Sequence, residues 1–313
     1  MAQTTPPTAF KAEQTFLAYN QAQAQAYAHG RPDYHANLYA AVLEHHTSTG
    51  GQLDTIIDLG CGPGNVARAL APHFRHAIGL DPSPGMVEAA RAQGGVTGTS
   101  EGIRYEVCSA EDLGASLSPA VGAHSVDLIT AANAAHWFDM DQFWASAARV
   151  LKPGGSVIVW TTGELRFHPS MPNAAKIQTT LDEMQDTELK PYFVPGNVLV
   201  RSRYEGLVLP WQLEKPVEEF PERGFVRREW DVGESFHDEL PQVGMDRYES
   251  IVSTISPVTR WREAHPETVG TEEDYVRRCR RAIERLLQEA GVKKGEEKIK
   301  GAMQGVVLVV KRV

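Results

Sequence analysis

Between Thr55 and Thr162 short apolar runs alternate with amphipathic stretches. The runs TIIDL, HAIGLD, IRYEVCSA, SVDLITAA and SVIVWTT are rich in β-branched residues, and their length predicts buried strands. Between them NVARALAPHF, PGMVEAARAQG and MDQFWASAARVLKPGG read as helices, the last stopped at Lys-Pro-Gly-Gly. Strands alternating with helices mean βαβ units and a parallel sheet covered on both faces. Upstream, FLAYNQAQAQAYAHG predicts a helix halted by Gly30 and Pro32. A second helix follows, with Tyr34, Leu38, Ala41, Val42 and His45 along one face. Beyond Gly163 the pattern changes. PNAAKIQTTLDEMQ and TEEDYVRRCRRAIERLLQEAG predict helices, and RGFVRREWDV and GVVLVVKRV predict strands. The expectation is one domain over residues 1–313: a loose tail, N-terminal helices or lid at 10–48, a core at 52–163, helical cap insertions at 164–222 and 238–300, and the last sheet strands at 223–232 and 305–313.

Composition adds exclusions. With 42% hydrophobic and 23% charged residues among 313, the chain is globular. A net charge of -9 argues against nucleic acid as a partner. Cys61, Cys108 and Cys279 form no CxxC or Cys/His spacing, so neither a disulfide framework nor a metal site is expected. The start has no basic and apolar leader pattern, and no apolar run approaches the roughly 20 residues of a membrane span. A cytoplasmic protein without a membrane partner is the expectation.

The chemistry concentrates at DLGCGPGN, where Gly60, Gly62 and Gly64 occupy alternate positions behind Asp58. Glycine lets a ligand approach the backbone without a Cβ in the way. A dinucleotide turn, G-x-G-x-x-G, fails because its third glycine would be Asn65, and a P-loop fails because no lysine follows Gly64. A carboxylate inside the turn repels phosphate and suits an ammonium-bearing ligand. Cys61 is small enough to sit in the turn, and nothing marks it as a nucleophile. The pattern resembles the S-adenosyl-L-methionine (AdoMet) turn of class I methyltransferases. Asp81, some twenty residues on, can accept both ribose hydroxyls. The resemblance places Met86 by the adenine, with Ala110 and Glu111 from CSAEDL beside it. Pro82, Ala132 and Asn133 complete the expected cofactor set in the core. Nicotinamide hydride chemistry is the competing reading.

AYAHGRPDYHANLY, NAAHWFD, PYFVPGNVLVRSRY and the terminal KRV extend the likeness. Together with the turn they resemble the trans-aconitate methyltransferase group, which esterifies small carboxylic acids, and its relatives in fungal secondary metabolism. The first 160 or so residues carry most of this likeness, and His35 stands where the group's R-P-x-Y-P has its second proline. The resemblance implies a doubly wound, Rossmann-like α/β sheet, mostly parallel with an antiparallel C-terminal strand, plus a helical cap. It implies that Tyr27, Arg31 and Tyr34 fold over the cofactor's carboxylate.

The function expected is AdoMet-dependent methylation of a small molecule, foremost O-methylation of a carboxylic acid. Methylation of another oxygen, sulfur, nitrogen or carbon stays open, as does AdoMet binding without transfer. A carboxylate acceptor is ionised at pH 7 and needs no base; it needs a cationic clamp, best an arginine fork. Arg201, Arg203, Arg260 and Arg262 are candidates, with Trp137, Arg203, Arg260 and Trp261 taken as substrate-binding. His136 is the catalytic candidate, as base or as hydrogen-bond donor, the alternative being a histidine packed under the cap. Monomer and homodimer are both open.

Overall fold

The computed structural model describes residues 33–234, 236–237 and 240–313. Tyr27 and Arg31 therefore lie outside the described residues, as does the first of the expected helices. In chain order the sheet and its helices are α1 (Ala36–Thr47), β1 (Thr55–Leu59), α2 (Asn65–Leu70), β2 (His76–Asp81), α3 (Pro84–Gln93), β3 (Arg104–Val107), β4 (Val126–Ala132), α4 (Met140–Val150) and β5 (Leu151–Phe167). The second half holds α5 (Ala174–Met184), α6 (Pro195–Arg201), β6 (Val226–Trp230), β7 (Val243–Gly244), α7 (Met245–Val252), α8 (Ser256–Ala264), α9 (Tyr275–Glu289), β8 (Lys298–Ile299) and β9 (Gly301–Lys311).

Seven strands form one sheet in the order β3-β2-β1-β4-β5-β9-β6. Strands β1 to β5 pair in parallel, and β9 runs antiparallel between β5 and β6. This is the Rossmann-like sheet with an antiparallel C-terminal strand. Neighbouring residues in each central strand supply opposite faces, as the two-residue period requires. Ile56, Leu128, Ile158 and Val309 meet Leu38 and Val42 of α1 and Val66 and Leu70 of α2 on one side. Ile57, Ile129, Val157 and Leu308 meet Phe143, Trp144 and Ala147 of α4 on the other. Both faces being buried explains why these strands read as continuous apolar runs.

Strand reversal between β1 and β4, with β2 on one side and β5 on the other, opens a crevice at the carboxyl ends of the strands. A third cluster forms a core of its own in the second half: Ile177, Leu189, Tyr248, Val258, Trp261, Tyr275, Ile283 and Leu286 pack α5, α7, α8 and α9 together.

Two local readings change. Lys152 to Gly155 do stop α4, but they belong to β5, where the pairing jumps from Val126–Leu151 to Leu128–Ser156. Strand β5 also runs past Gly163 to Phe167, resuming its pairing with β9 at Leu165–Met303 after an irregularity.

Candidate functional site

The turn after β1 needs its glycines for different reasons. Gly60, Gly62 and Gly64 all have positive φ, at 60°, 53° and 84°. A Cβ on Gly60 would lie 2.5 Å from that of Ala134, and one on Gly64 2.7 Å from the Tyr105 hydroxyl oxygen. A Cβ on Gly62 would meet nothing within 4 Å, so this residue faces open space. Cys61 N–H donates to the Leu80 carbonyl at 3.1 Å, and Gly64 N–H to that of Cys61 at 2.9 Å, which fixes the turn against β2. The Cys61 side chain packs with Ala67, Val87, Ala90 and Tyr105, and burial pushes its thiol up, away from a nucleophile.

Two carboxylates converge here. Asp81 Oδ2 accepts the Gly62 N–H at 2.9 Å, and its Oδ1 accepts the Ser83 N–H at 2.8 Å. Burial raises this carboxyl to about 6 against the pull of those two N–H groups. Each of its oxygens keeps a further acceptor site. Asp58 is buried at the end of β1, where Thr130 donates to its Oδ1 at 2.8 Å. Its Oδ2 is buried without a hydrogen bond of good geometry. Burial raises this carboxyl to about 7; hydrogen bonds from Thr130 and from the Ala67 backbone work against it, and the Asp81 charge adds to it. Two buried acids and an unfilled side on Gly62 suit a ligand that carries an ammonium group and paired hydroxyls, and disfavour one carrying a pyrophosphate.

The next sequence-predicted positions flank this turn. Ser83 caps α3, Met86 in its first turn is buried, and Pro82 is exposed. Ala110 is buried after β3. Glu111 joins layers: its Oε1 accepts the Asp139 N–H at 2.9 Å and its carbonyl accepts the Ser146 hydroxyl, so it ties this loop to the start of α4.

Ala132 ends β4, half-buried, and Asn133 follows with φ of 50°, a conformation asparagine tolerates. The amide of Asn133 is committed. Its Oδ1 accepts the Thr162 N–H at 2.9 Å and the Thr161 hydroxyl at 2.7 Å, while Nδ2 donates to the Tyr34 hydroxyl at 2.8 Å. The Tyr34 ring sits edge-on to Trp160 and Phe236, so the N-terminal segment is docked on the ends of β4 and β5. Among these partners only Tyr34 is legible as a candidate in the sequence; Thr161 and Thr162 carry no motif.

A 3-10 turn at Ala135–Trp137 then carries His136 and Trp137. His136 Nδ1 lies 3.0 Å from the hydroxyl of Tyr204, a residue only 2% exposed. Trp137 packs on the His136 ring at 4.5 Å between centroids and lies against Gly196 of α6, where a Cβ would come within 2.4 Å of the indole. Tyr204 has no signal in the sequence.

The arginines differ in how firmly they are held. Arg203 stands beside Gly163 and pairs with Glu229 at 2.9 Å. Arg201 is shared between Asp186 at 2.8 Å and Glu164 at 3.5 Å. Arg260 donates to the Tyr192 carbonyl at 2.8 Å and to Asn197 Oδ1 at 2.6 Å, bracing α8 against α6. Arg262 pairs with fully buried Asp274 at 2.9 Å. Trp261, taken as substrate-binding, is buried in the cap core, stacked on His265 at 4.4 Å. Among the described residues no group of three or more His, Cys, Asp or Glu side chains gathers as metal ligands, and no helix is long and apolar enough to cross a membrane.

Residues 57–159 match the family described as Methyltransferase domain. Methyltransferase cfoB of Aspergillus candidus is 29% identical over 286 residues, 81% of this chain and 84% of that protein. Methyltransferase tpcM of Aspergillus fumigatus is 31% identical over 164 residues, 52% of this chain and 49% of that protein. The match spans about half the length of most of the curated relatives. A solved structure from Anaeromyxobacter dehalogenans, described as a type II methyltransferase, shares the fold. Its TM-score is 0.60 at 24% identity, covering 90% of this chain and 97% of that one.

Proposed function

We propose that the chain is a class I AdoMet-dependent methyltransferase and that it methylates a carboxylate oxygen of a small organic acid. When bound, AdoMet supplies an electrophilic methyl on a sulfonium. The observation that carries the reading is the acidic turn, where the buried carboxylates of Asp58 and Asp81 sit at the ends of their strands and Gly62, held by Asp81, faces open space. Asp58 would meet the ammonium group, and Asp81 the ribose hydroxyls. Met86 and Ala110 would complete the cofactor's surroundings among the described residues.

The acceptor's needs are positional. An ionised carboxylate is already a nucleophile, so the protein has to align it and exclude water, which is worth about 7–11 kcal/mol. Arg203 is the best-suited clamp. Its bridge to Glu229 is partly exposed on both sides, and such bridges contribute roughly 0–1 kcal/mol, so an incoming carboxylate can take Glu229's place. In the Arg262–Asp274 pair the carboxylate is fully buried, and removing its partner would leave a buried charge unpaired, so this arginine is unsuited to exchange. Arg260 fits the rim of such a pocket, and Trp137 its wall.

Release of S-adenosylhomocysteine tests this across small mono-, di- and tricarboxylic acids, their amides, phenols and thiols. Turnover confined to free carboxylates supports the reading. Turnover of phenols or thiols alone favours methylation of a group that must lose a proton. AdoMet binding with no release from any acceptor favours a non-transferring protein.

A further inference from the structure

Edge strand β6 lies in register with the end of β5. Glu229 pairs with Val306 of β9, and Val306 pairs with Thr161, so one row crosses the sheet from Glu229 to a residue that bonds Asn133. Directly paired residues share a face. Here it is the face where Val306 shares a core with Tyr204 and Leu207. Arg227, two residues before Glu229, lies on that face as well.

Arg203 meets this row from an unusual turn after α6. Arg203 and Tyr204 are consecutive non-glycine residues with positive φ, 51° and 65°, which persists only where the surroundings fix it. Arg203 N–H donates to the Val200 carbonyl at 2.9 Å and Tyr204 N–H to that of Leu199 at 2.8 Å. Arg227 donates to the Arg203 carbonyl at 2.9 Å and so braces the turn from β6. Three charged groups then meet. Arg203 Nη2 lies 2.9 Å from Glu229 Oε2, while Arg227 holds Glu229 Oε1 through Nε at 2.9 Å and Nη2 at 2.8 Å. The two guanidinium groups take different oxygens of a single carboxylate, which leaves positive charge in excess.

We propose that Glu229 is a resident competitor for Arg203, and that Arg227 retains it whenever Arg203 is given up. Glu229 yields the Arg203 guanidinium to the carboxylate of an arriving acceptor and takes it back once that carboxylate has become an ester. Both residues act through Arg203 and are positioning residues; their role rests on the function proposed above. The split of the two oxygens makes the exchange cheap. If Arg203 were the sole cation on Glu229, its departure would leave that carboxylate unpaired. Arg227, with both of its contacts on the other oxygen, keeps the charge compensated, so one arginine–carboxylate bridge replaces another. Methyl transfer then reverses the balance. A carboxylate oxygen bonds the methyl carbon, and the carbon–sulfur bond breaks with its electron pair left on sulfur. The negative charge of the acceptor and the positive charge of the sulfonium both vanish, and no proton moves. An uncharged ester oxygen holds a guanidinium more weakly than a carboxylate does, so Glu229 reclaims Arg203 and the product loses its clamp.

The test measures KM and kcat, by S-adenosylhomocysteine release, for the carboxylic acid turned over fastest in the panel above. Glu229→Gln, which keeps the size of an exposed residue on an edge strand, should lower KM about threefold or more, as loss of a weak exposed bridge allows. The change should lie in KM rather than kcat, and the methyl ester of the same acid should inhibit more strongly by a similar factor. Arg227→Gln keeps an N–H for the Arg203 carbonyl. It should raise KM about tenfold, because Arg203 is then the remaining cation on Glu229 among the described residues. Combining Arg227→Gln with Glu229→Gln should abolish that rise, whereas a bracing role alone would keep it. A KM unchanged or raised in Glu229→Gln overturns the inference, and that arm stands even if the Arg227 variants fail to fold. A rise that persists in the double variant also overturns it. Release from no carboxylic acid by either wild type or Glu229→Gln would instead sink the functional reading.

Discussion

The Gly62 N–H donates to Asp81 Oδ2 at 2.9 Å, so the tip of the turn after β1 and the end of β2 form one unit. The two strands are parallel neighbours, Leu59 facing Leu80 in register, and the bond spans the step between them. A carboxylate that would bind the ligand also shapes the turn that would admit it.

Gly62→Ala and Gly60→Ala should therefore fail differently. Both force alanine into positive φ, at about 1 kcal/mol or more. The added methyl of Gly60→Ala also collides with Ala134, so that variant should lose clearly more stability in urea denaturation. Gly62→Ala should fold with a smaller loss, yet bind AdoMet at least tenfold more weakly, its methyl projecting into the open side. Equal stability losses together with unchanged binding by Gly62→Ala would contradict this.

Asp58 and Asp81 give the ligand-free protein a pH dependence of definite sign. Both are raised above the ordinary 3.8, to about 7 and about 6. Between pH 4 and 7 the folded state holds more protons than the unfolded one. Their contribution is thus fully present at the acid end and is lost as pH rises through the folded values. Apparent melting temperature from scanning calorimetry should fall less steeply from pH 5 to 8 in Asp58→Asn than in wild type. AdoMet affinity should rise over the same window in wild type, because the ionised carboxylate attracts the ammonium, and rise less in Asp58→Asn. An identical slope in both proteins would remove Asp58 from the account.

Asn133→Ala should behave as a loss of scaffold. It removes the acceptor of the Thr162 N–H, one acceptor of the Thr161 hydroxyl and a donor to the Tyr34 hydroxyl, and a buried group left unsatisfied costs about 1–3 kcal/mol. Denaturation should show a loss of about 2–4 kcal/mol in total, since the hydroxyls can rotate to new partners. Hydrogen exchange at Thr162 should rise more than at β1. A loss under 0.5 kcal/mol would mean the network is dispensable.

Asp274 anchors the cap. It accepts from Gly270 N–H at 2.9 Å, Val276 N–H at 3.1 Å and Arg262 at 2.9 Å. Burial pushes its carboxyl up, but the two N–H groups and the guanidinium outweigh this and hold it below the ordinary range. Its stabilisation is present above about pH 4 and is lost as pH falls through the lower folded value. Asp274→Ala should cost about 2–4 kcal/mol at pH 7, because it strands a partly buried arginine and removes the N-cap of α9. That difference should shrink toward pH 3 in guanidinium titrations.

Much of the core was legible because its physics is local. Buried parallel strands such as β1 and β4 are apolar on both faces, and the Asp58–Gly64 turn carries its own spacing. The bulge in β5 was not, because Lys152 to Gly155 read as a terminator whether or not a strand begins there. Nor was α6, a seven-residue helix whose cap depends on Asn197 accepting the Val194 N–H. Tyr204 was invisible because its place beside His136 comes from two residues forced into positive φ, a tertiary effect that no spacing encodes. Trp261 reads as a substrate-binding candidate because it stands between two arginines, and its burial in the cap's own core is a packing result that spacing alone does not encode.

The most direct test of the central claim is calorimetric titration of AdoMet into wild type and Asp81→Ala. The account predicts saturable binding to wild type and at least tenfold weaker binding to the variant, which loses both the ribose acceptor and the anchor of Gly62. Wild type that binds no AdoMet but does bind NADH, or a variant that binds AdoMet as tightly as wild type, would contradict it.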